Sequence, residues 1–206
     1  MPSITSHGVN EYYAHASNAF WWIVGEALGF RRGGPKVECQ WPYQFQTKPS
    51  QSILQEITQT SSPVLNYQEQ VDKLTEAGFA LWDIIQECNI KNSDDATVSD
   101  SKPNNIRVLI EDKQPSIRRI VFASGKTSAK IFIKLNKSWL KEGNFCLGGG
   151  EFTSDVFSSF VGNDDENNCI GPDSVHLIVP YSVSPAAASV SFKVKKEQWL
   201  SCVFNS

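Results

Sequence analysis

The sequence predicts an α/β domain in three layers, with a short central parallel sheet between helices. Two observations carry that expectation. Short apolar runs, of the kind that fill a sheet buried on both faces, recur along the chain at Phe79–Ile85, Ile117–Ser124 and His176–Tyr181. Segments with helical spacing stand between and around them, and strands alternating with helices imply parallel pairing. A chain of 206 residues, 40% hydrophobic, is long enough for one such domain with a real core, so residues 1–206 are read as a single domain.

The elements follow in order. Asn18–Gly29 places Phe20, Trp21, Val24 and Leu28 on one helical face, with Ser17 or Asn18 at the N-cap and Gly29 near the stop. Residues 33–65, rich in Gly, Pro, Gln, Ser and Thr, read as an irregular connection. Tyr67–Ala77 is a second amphipathic helix, ended by Gly78. Further helices are expected over Asn105–Asp112, Lys126–Leu135 and Ser191–Val203. The stretch 138–175, with its glycine triplet Gly148 to Gly150 and the acidic Asp164-Asp165-Glu166, breaks the rhythm and reads as an irregular, partly disordered insertion without a structural role. In open parallel sheets ligands bind beyond the carboxyl ends of the strands, so the loops after Ile85, Ser124 and Tyr181 are of interest.

Composition excludes some functions. No apolar run reaches the length of about 18 residues that a membrane helix needs, and the N-terminus lacks a signal-peptide pattern, so an intracellular protein without membrane association is expected. Five scattered cysteines, never in CxxC spacing, suggest neither zinc nor a disulfide framework, and reduced thiols are expected. Net charge is −3, but unevenly spread: residues 101–141 carry +8 between two segments of −7 each, 51–100 and 142–175. A basic block of this kind is either a footprint for phosphates or a solvated helix face. Gly125-Lys126-Thr127 sits where a phosphate-cradling loop would end, but that loop requires a glycine where this chain has Ile120. An NTPase is therefore excluded, and Lys126 is left as a solvated side chain or a contact for a DNA phosphate.

The most unusual stretch is Tyr12-Tyr13-Ala14-His15-Ala16-Ser17-Asn18-Ala19-Phe20-Trp21-Trp22, with five rings in eleven residues. Together with Ile23 to Phe30 it resembles the first motif of hypoxanthine-DNA glycosylases, a branch of the uracil-DNA glycosylase superfamily. There, a similar Tyr-Tyr-Ala-His-Pro-x-Asn-Ala-Phe-Trp run occurs. The blocks 78–88, 117–132 and 179–200 resemble the same family in the same order, so that with the intervening helix about two thirds of the chain is covered. Residues 138–175 lie outside the resemblance.

The resemblance implies a monofunctional DNA glycosylase, without metal or organic cofactor, acting as a monomer on DNA that contains deaminated bases such as hypoxanthine or uracil. Such an enzyme must extrude the nucleotide and hold its base by stacking and edge hydrogen bonds. Tyr13 matches the stacking aromatic, and Tyr12 and His15 are candidates for base or DNA contact, whereas the spacing of Phe20 and Trp21 assigns them to the core. Asn18 matches the Asn implicated in catalysis; its amide offers an acceptor for water and donors for a base edge, and capping the helix is its competing structural role. Pro180-Tyr181-Ser182-Val183-Ser184-Pro185 matches the loop that enters the duplex, with Ser182 and Ser184 as candidate contacts. Ser184 stands where other branches have His or Asn, Ala187 replaces a frequent polar residue, and Ala123-Ser124 replaces a usual Asn-Gly. These departures favour a second expectation, a catalytically weak or inactive DNA-binding member of the superfamily. The localisation expected is nuclear or organellar in a eukaryote and cytoplasmic otherwise. Finally, Met1-Pro2-Ser3 falls at the end of the loop that follows the family's first strand, which predicts that this strand is missing and that Met1 occupies the place of a water-activating Asp or Asn.

Overall fold

The computed structural model describes residues 10–33, 49–89, 99–160 and 174–205. The chain is mixed α/β with small sheets. Among the described residues two compact units are found, one of 10–33, 49–82 and 183–197, the other of 83–89, 99–160, 174–182 and 198–205.

The first unit is built on helix α1, Phe20–Leu28, which stops at Gly29 through a hydrogen bond to the Gly25 carbonyl. Phe20, Trp21, Ile23 and Val24 are buried, as the helical spacing requires. Strand β1, Arg31–Arg32, pairs in parallel with β2, Val64–Leu65. Between them lies a short helix α2, Gln51–Glu56. The described part of this connection, residues 49–65, is thus more regular than its composition suggests, because a two-residue strand and a six-residue helix leave little periodicity to read. Helix α3, Tyr67–Glu76, begins with a reciprocal capping box: Asn66 Oδ1 accepts from Glu69 N–H while the Glu69 carboxylate accepts from Asn66 N–H.

In the second unit, β3, Ile85–Asn89, pairs antiparallel with β4, Ser99–Pro103. The expected strand Phe79–Ile85 does not form. Residues 79–84 are irregular and Trp82 is 59% exposed, so this apolar run is not a buried strand. A helical turn α4, Ile106–Val108, runs into a π-helical turn at Leu109–Lys113. Three parallel strands then form the principal sheet, in the order β5 (Arg119–Val121), β7 (Val175–Ile178), β6 (Phe145–Leu147). Helix α5, Lys126–Glu142, links β5 to β6 and outruns its expected end by two turns, with a non-helical Asn136 inside. Helix α7, Phe192–Trp199, of which residues 192–197 belong to the first unit, ends in a π-helical turn at Leu200–Phe204.

Strand β6 and helix α6, Thr153–Phe157, fall within the stretch expected to be an irregular insertion. Residues 138–160 instead supply Trp139, Leu140, Phe145 and Phe157 to the core around Phe122, Phe132 and Leu177. Gly148 packs against the end of β7 and Gly149 against Cys202; at Gly150, with φ +115°, an added Cβ would sit 2.9 Å from the Val179 carbonyl carbon and oxygen. Thr153 Oγ1 accepts from Val179 N–H and donates to the Gly149 carbonyl. Cys146 takes part in a disulfide, contrary to the expectation of reduced thiols, whereas Cys88 and Cys202 keep theirs. The acidic Asp164-Asp165-Glu166 and the Met1-Pro2-Ser3 start lie outside the described residues.

Candidate functional site

The expected site residues fall into two clusters, one in each unit. Tyr12, Tyr13, His15 and Asn18 share the loop before α1, and Ser184 joins them because the Val183 carbonyl accepts from Ala19 N–H at 2.9 Å. Lys126 and Ser182 belong to the other unit, at the carboxyl ends of β5 and β7.

In the first cluster the rings form a chain of contacts. Tyr13, in the left-handed region at φ +55°, lies tilted by 31° on Phe20 with centroids 4.4 Å apart. Phe20 meets Trp21 edge-on at 5.0 Å, and Trp21 meets Tyr67 edge-on at 5.6 Å. Trp21 Nε1 donates to the Tyr12 carbonyl, and Tyr12 N–H donates to the Tyr67 hydroxyl. Phe20 and Trp21 are therefore core, as their spacing implies, while Tyr12 and Tyr13 are half-buried.

Asn18 is 8% exposed. Its Oδ1 accepts from Phe20 N–H at 2.9 Å and its own N–H donates to the His15 carbonyl at 2.9 Å. That bond fixes which way the amide faces, since the nitrogen in the same place would oppose an N–H. The consequence is chemical: the acceptor is committed to the backbone at the helix start, and Nδ2, without a partner among the described residues, is the group left to act. His15 Nδ1 accepts from Ser17 N–H, so the imidazole is neutral with its proton on Nε2. Burial first, and the Arg32 cation second, hold it below its ordinary value.

Arg32 is a residue of this site that the sequence does not single out. Its guanidinium donates to the carbonyls of Tyr13, Ala14, His15 and Ala16, and stands 5.6 Å from the centre of the Trp22 ring. Burial pulls its pKa down to about 10, against the opposing pull of Glu11, which still leaves it charged at neutral pH. Bonds to main-chain carbonyls leave no trace in a sequence. Lys195 is a second surprise: it is 5% exposed, its Nζ donates to the Ser184 carbonyl at 3.3 Å, and burial lowers its pKa. Ser184 Oγ accepts from Ala186 N–H, folding the loop on itself.

In the second cluster the strand-to-helix turn rests on the last loop. Gly125, at φ +62° and ψ −141°, has Pro180 O 3.2 Å and Ser182 N 3.3 Å from where a Cβ would stand. Lys126 Nζ is 3.0 Å from Asp155 Oδ2 and 4.1 Å from the centre of the Phe152 ring. Lys130, Lys134, Lys137 and Lys141 follow Lys126 at helical spacing on α5; all four are exposed and form no ion pair among the described residues. No group of three or more His, Cys, Asp or Glu suited to a metal occurs among the described residues, nor does a helix long and apolar enough to cross a membrane.

Comparison with known proteins gives one informative similarity. Over 130 residues the chain is 23% identical to a hypoxanthine DNA glycosylase of Methanosarcina barkeri, which covers 63% of this chain and 62% of the relative. The chain thus spans less than two thirds of that relative's length. No family model and no solved structure matches.

Proposed function

We propose that this protein is a DNA glycosylase of the uracil-DNA glycosylase superfamily that releases deaminated bases, hypoxanthine foremost, from DNA. The observation that carries the reading is the Asn18 amide, which shares the loop of Tyr13 and keeps its donor end without a partner among the described residues once its acceptor is bound to Phe20 N–H. Similarity to a relative named as a hypoxanthine DNA glycosylase supports it, as does the lysine row on α5. On this reading residues 1–206 act as one glycosylase-like domain of the three-layer α/β/α kind, working as a monomer, with no metal or organic cofactor.

The chemistry follows from the bond to be broken. As the N-glycosidic bond lengthens, positive charge grows on the sugar and the departing base takes the electron pair. Tyr13, backed by Phe20, stacks the extruded base. Asn18 Nδ2 donates to the base edge as it becomes anionic, where a preorganised donor is worth most. Water adds to C1′ and gives up a proton, the base takes one, and the products are free base and an abasic strand. The relevant end of Asn18 is thus its donor rather than an acceptor for water. His15, neutral with its proton on Nε2, and Tyr12 contact the base or its flanks; Ser182 and Ser184 contact the strand. Lys130 and Lys134 take phosphates more readily than Lys126, whose ammonium already faces Asp155.

A second reading, a DNA-binding relative with little or no turnover, is favoured by the same local bonds: Asn18 Oδ1 and Ser184 Oγ both serve the backbone. Single-turnover assays on duplexes bearing hypoxanthine, uracil or xanthine separate the two. Release of base supports the glycosylase. Tight binding of all three without release, at high protein concentration, supports the binding module.

A further inference from the structure

We propose that Arg32 is the positioning residue of the aromatic loop: its guanidinium sets the curve of residues 13–16 and thereby where Tyr13, His15 and Asn18 meet a base. This rests on the glycosylase reading and deepens it.

The geometry is specific. Nη2 donates to the carbonyls of Tyr13 at 3.1 Å and Ala14 at 2.7 Å, and Nη1 to those of His15 at 3.1 Å and Ala16 at 3.4 Å. In a helix successive carbonyls run parallel to the axis, and in a strand they alternate. Four in a row turned onto one cation describe a bend that is neither helix nor strand and that converges on the guanidinium. A planar fork of five donors can serve such a set; an ammonium, with three donors at a point, cannot.

Arg32 is itself held from outside the loop. Its two neighbours bond to the adjoining segment, Arg31 N–H to the Pro63 carbonyl and Gly33 N–H to the Leu65 carbonyl. Trp22 adds a second hold from α1, its Nε1 donating to the Ala16 carbonyl at 2.8 Å and its ring facing the guanidinium. The loop is therefore referenced to β1 and α1, rigid elements, as a base-recognition loop requires. The catalytic residue Asn18 touches the base; Arg32 acts through it.

The test uses the full chain and its Arg32→Lys and Arg32→Ala variants. Maximal single-turnover excision of hypoxanthine, half-saturating protein concentration, thermal melting, and hydrogen exchange of the Ser17, Asn18 and Phe20 amides without DNA are measured. Arg32→Lys is expected to lose about 100-fold in maximal rate, the size of an ångström-scale misplacement, with half-saturation unchanged and faster exchange at those three amides. Guanidinium ion at non-denaturing concentration should restore part of the rate and the protection of Arg32→Ala. Wild-type rate and protection in Arg32→Lys overturn the proposal. So does a melt lowered for the whole chain with no guanidinium rescue, which makes Arg32 a general stabiliser. If the wild-type protein releases no base while the three amides still lose protection, the glycosylase reading fails and the positioning role stands.

Discussion

Two loops of this molecule are held in opposite ways. Residues 12–19 are fixed largely by side chains: Arg32, Trp21 and Trp22 donate to their carbonyls, His15 accepts from Ser17 N–H, and Asn18 ties the loop to α1 by accepting from Phe20 N–H. Residues 148–153 are fixed largely by the backbone itself, Gly148 N–H donating to the Leu177 carbonyl and Phe152 N–H to that of Val179, with one hydroxyl, Thr153, as the clip. A loop held by side chains can carry a row of large residues and present them. A loop held by close backbone approach cannot, because any Cβ at its contact points would collide. The first is suited to recognition and the second to joining a strand to its sheet.

Breaking the two loops should have different consequences. Asn18→Ala is expected to lower maximal excision by about two orders of magnitude or more, the usual size for one preorganised polar group, with DNA affinity little changed. A variant that melts lower yet excises at the wild-type rate would make Asn18 a cap alone. Gly150→Ala should act on stability instead, by roughly 1–3 kcal/mol, since a left-handed backbone and a 2.9 Å contact with the Val179 carbonyl are both violated. Denaturant midpoints measure this, and an unchanged midpoint would show that the glycine triplet is not a joint.

Smaller effects sharpen the electrostatic side. Lys130→Gln and Lys134→Gln should each flatten the salt dependence of DNA binding by about one unit of slope, alike for every DNA sequence, and Lys126→Gln by less because Asp155 already pairs with it. Equal slopes in all proteins would make the lysine row a solvated face. The smallest effect concerns His15. Its folded-state pKa lies below the ordinary 6.5, so below pH 6.5 the unfolded chain binds more protons than the folded one. This contribution to stability is complete above pH 6.5 and is lost as pH falls toward the lowered value. His15→Gln should therefore flatten the urea midpoint against pH between neutrality and mild acid, and parallel curves would refute the shift.

Much of this molecule was legible because helices announce themselves. The periodic Phe20, Trp21, Val24 and Leu28 and the Gly78 stop each state a local rule that the structure follows. Strand β6 was not legible: three residues, Phe145-Cys146-Leu147, carry no period, and the glycines after them read as disorder when they are close packing. The apolar run 79–85 misled in the other direction, since hydrophobicity gives no strand without a partner. In the site, Tyr12, Tyr13, His15 and Asn18 were visible as side-chain chemistry along one stretch. Arg32 and Lys195 were not, because each acts on carbonyl oxygens that every residue possesses.

Glycosylase activity is read most directly from the product balance when excess protein meets a hypoxanthine-containing duplex. One free hypoxanthine is expected per abasic strand formed, with that strand left unbroken until alkali or heat is applied, and loss of both products together in Asn18→Ala. A duplex bound and recovered with its hypoxanthine still attached would contradict it.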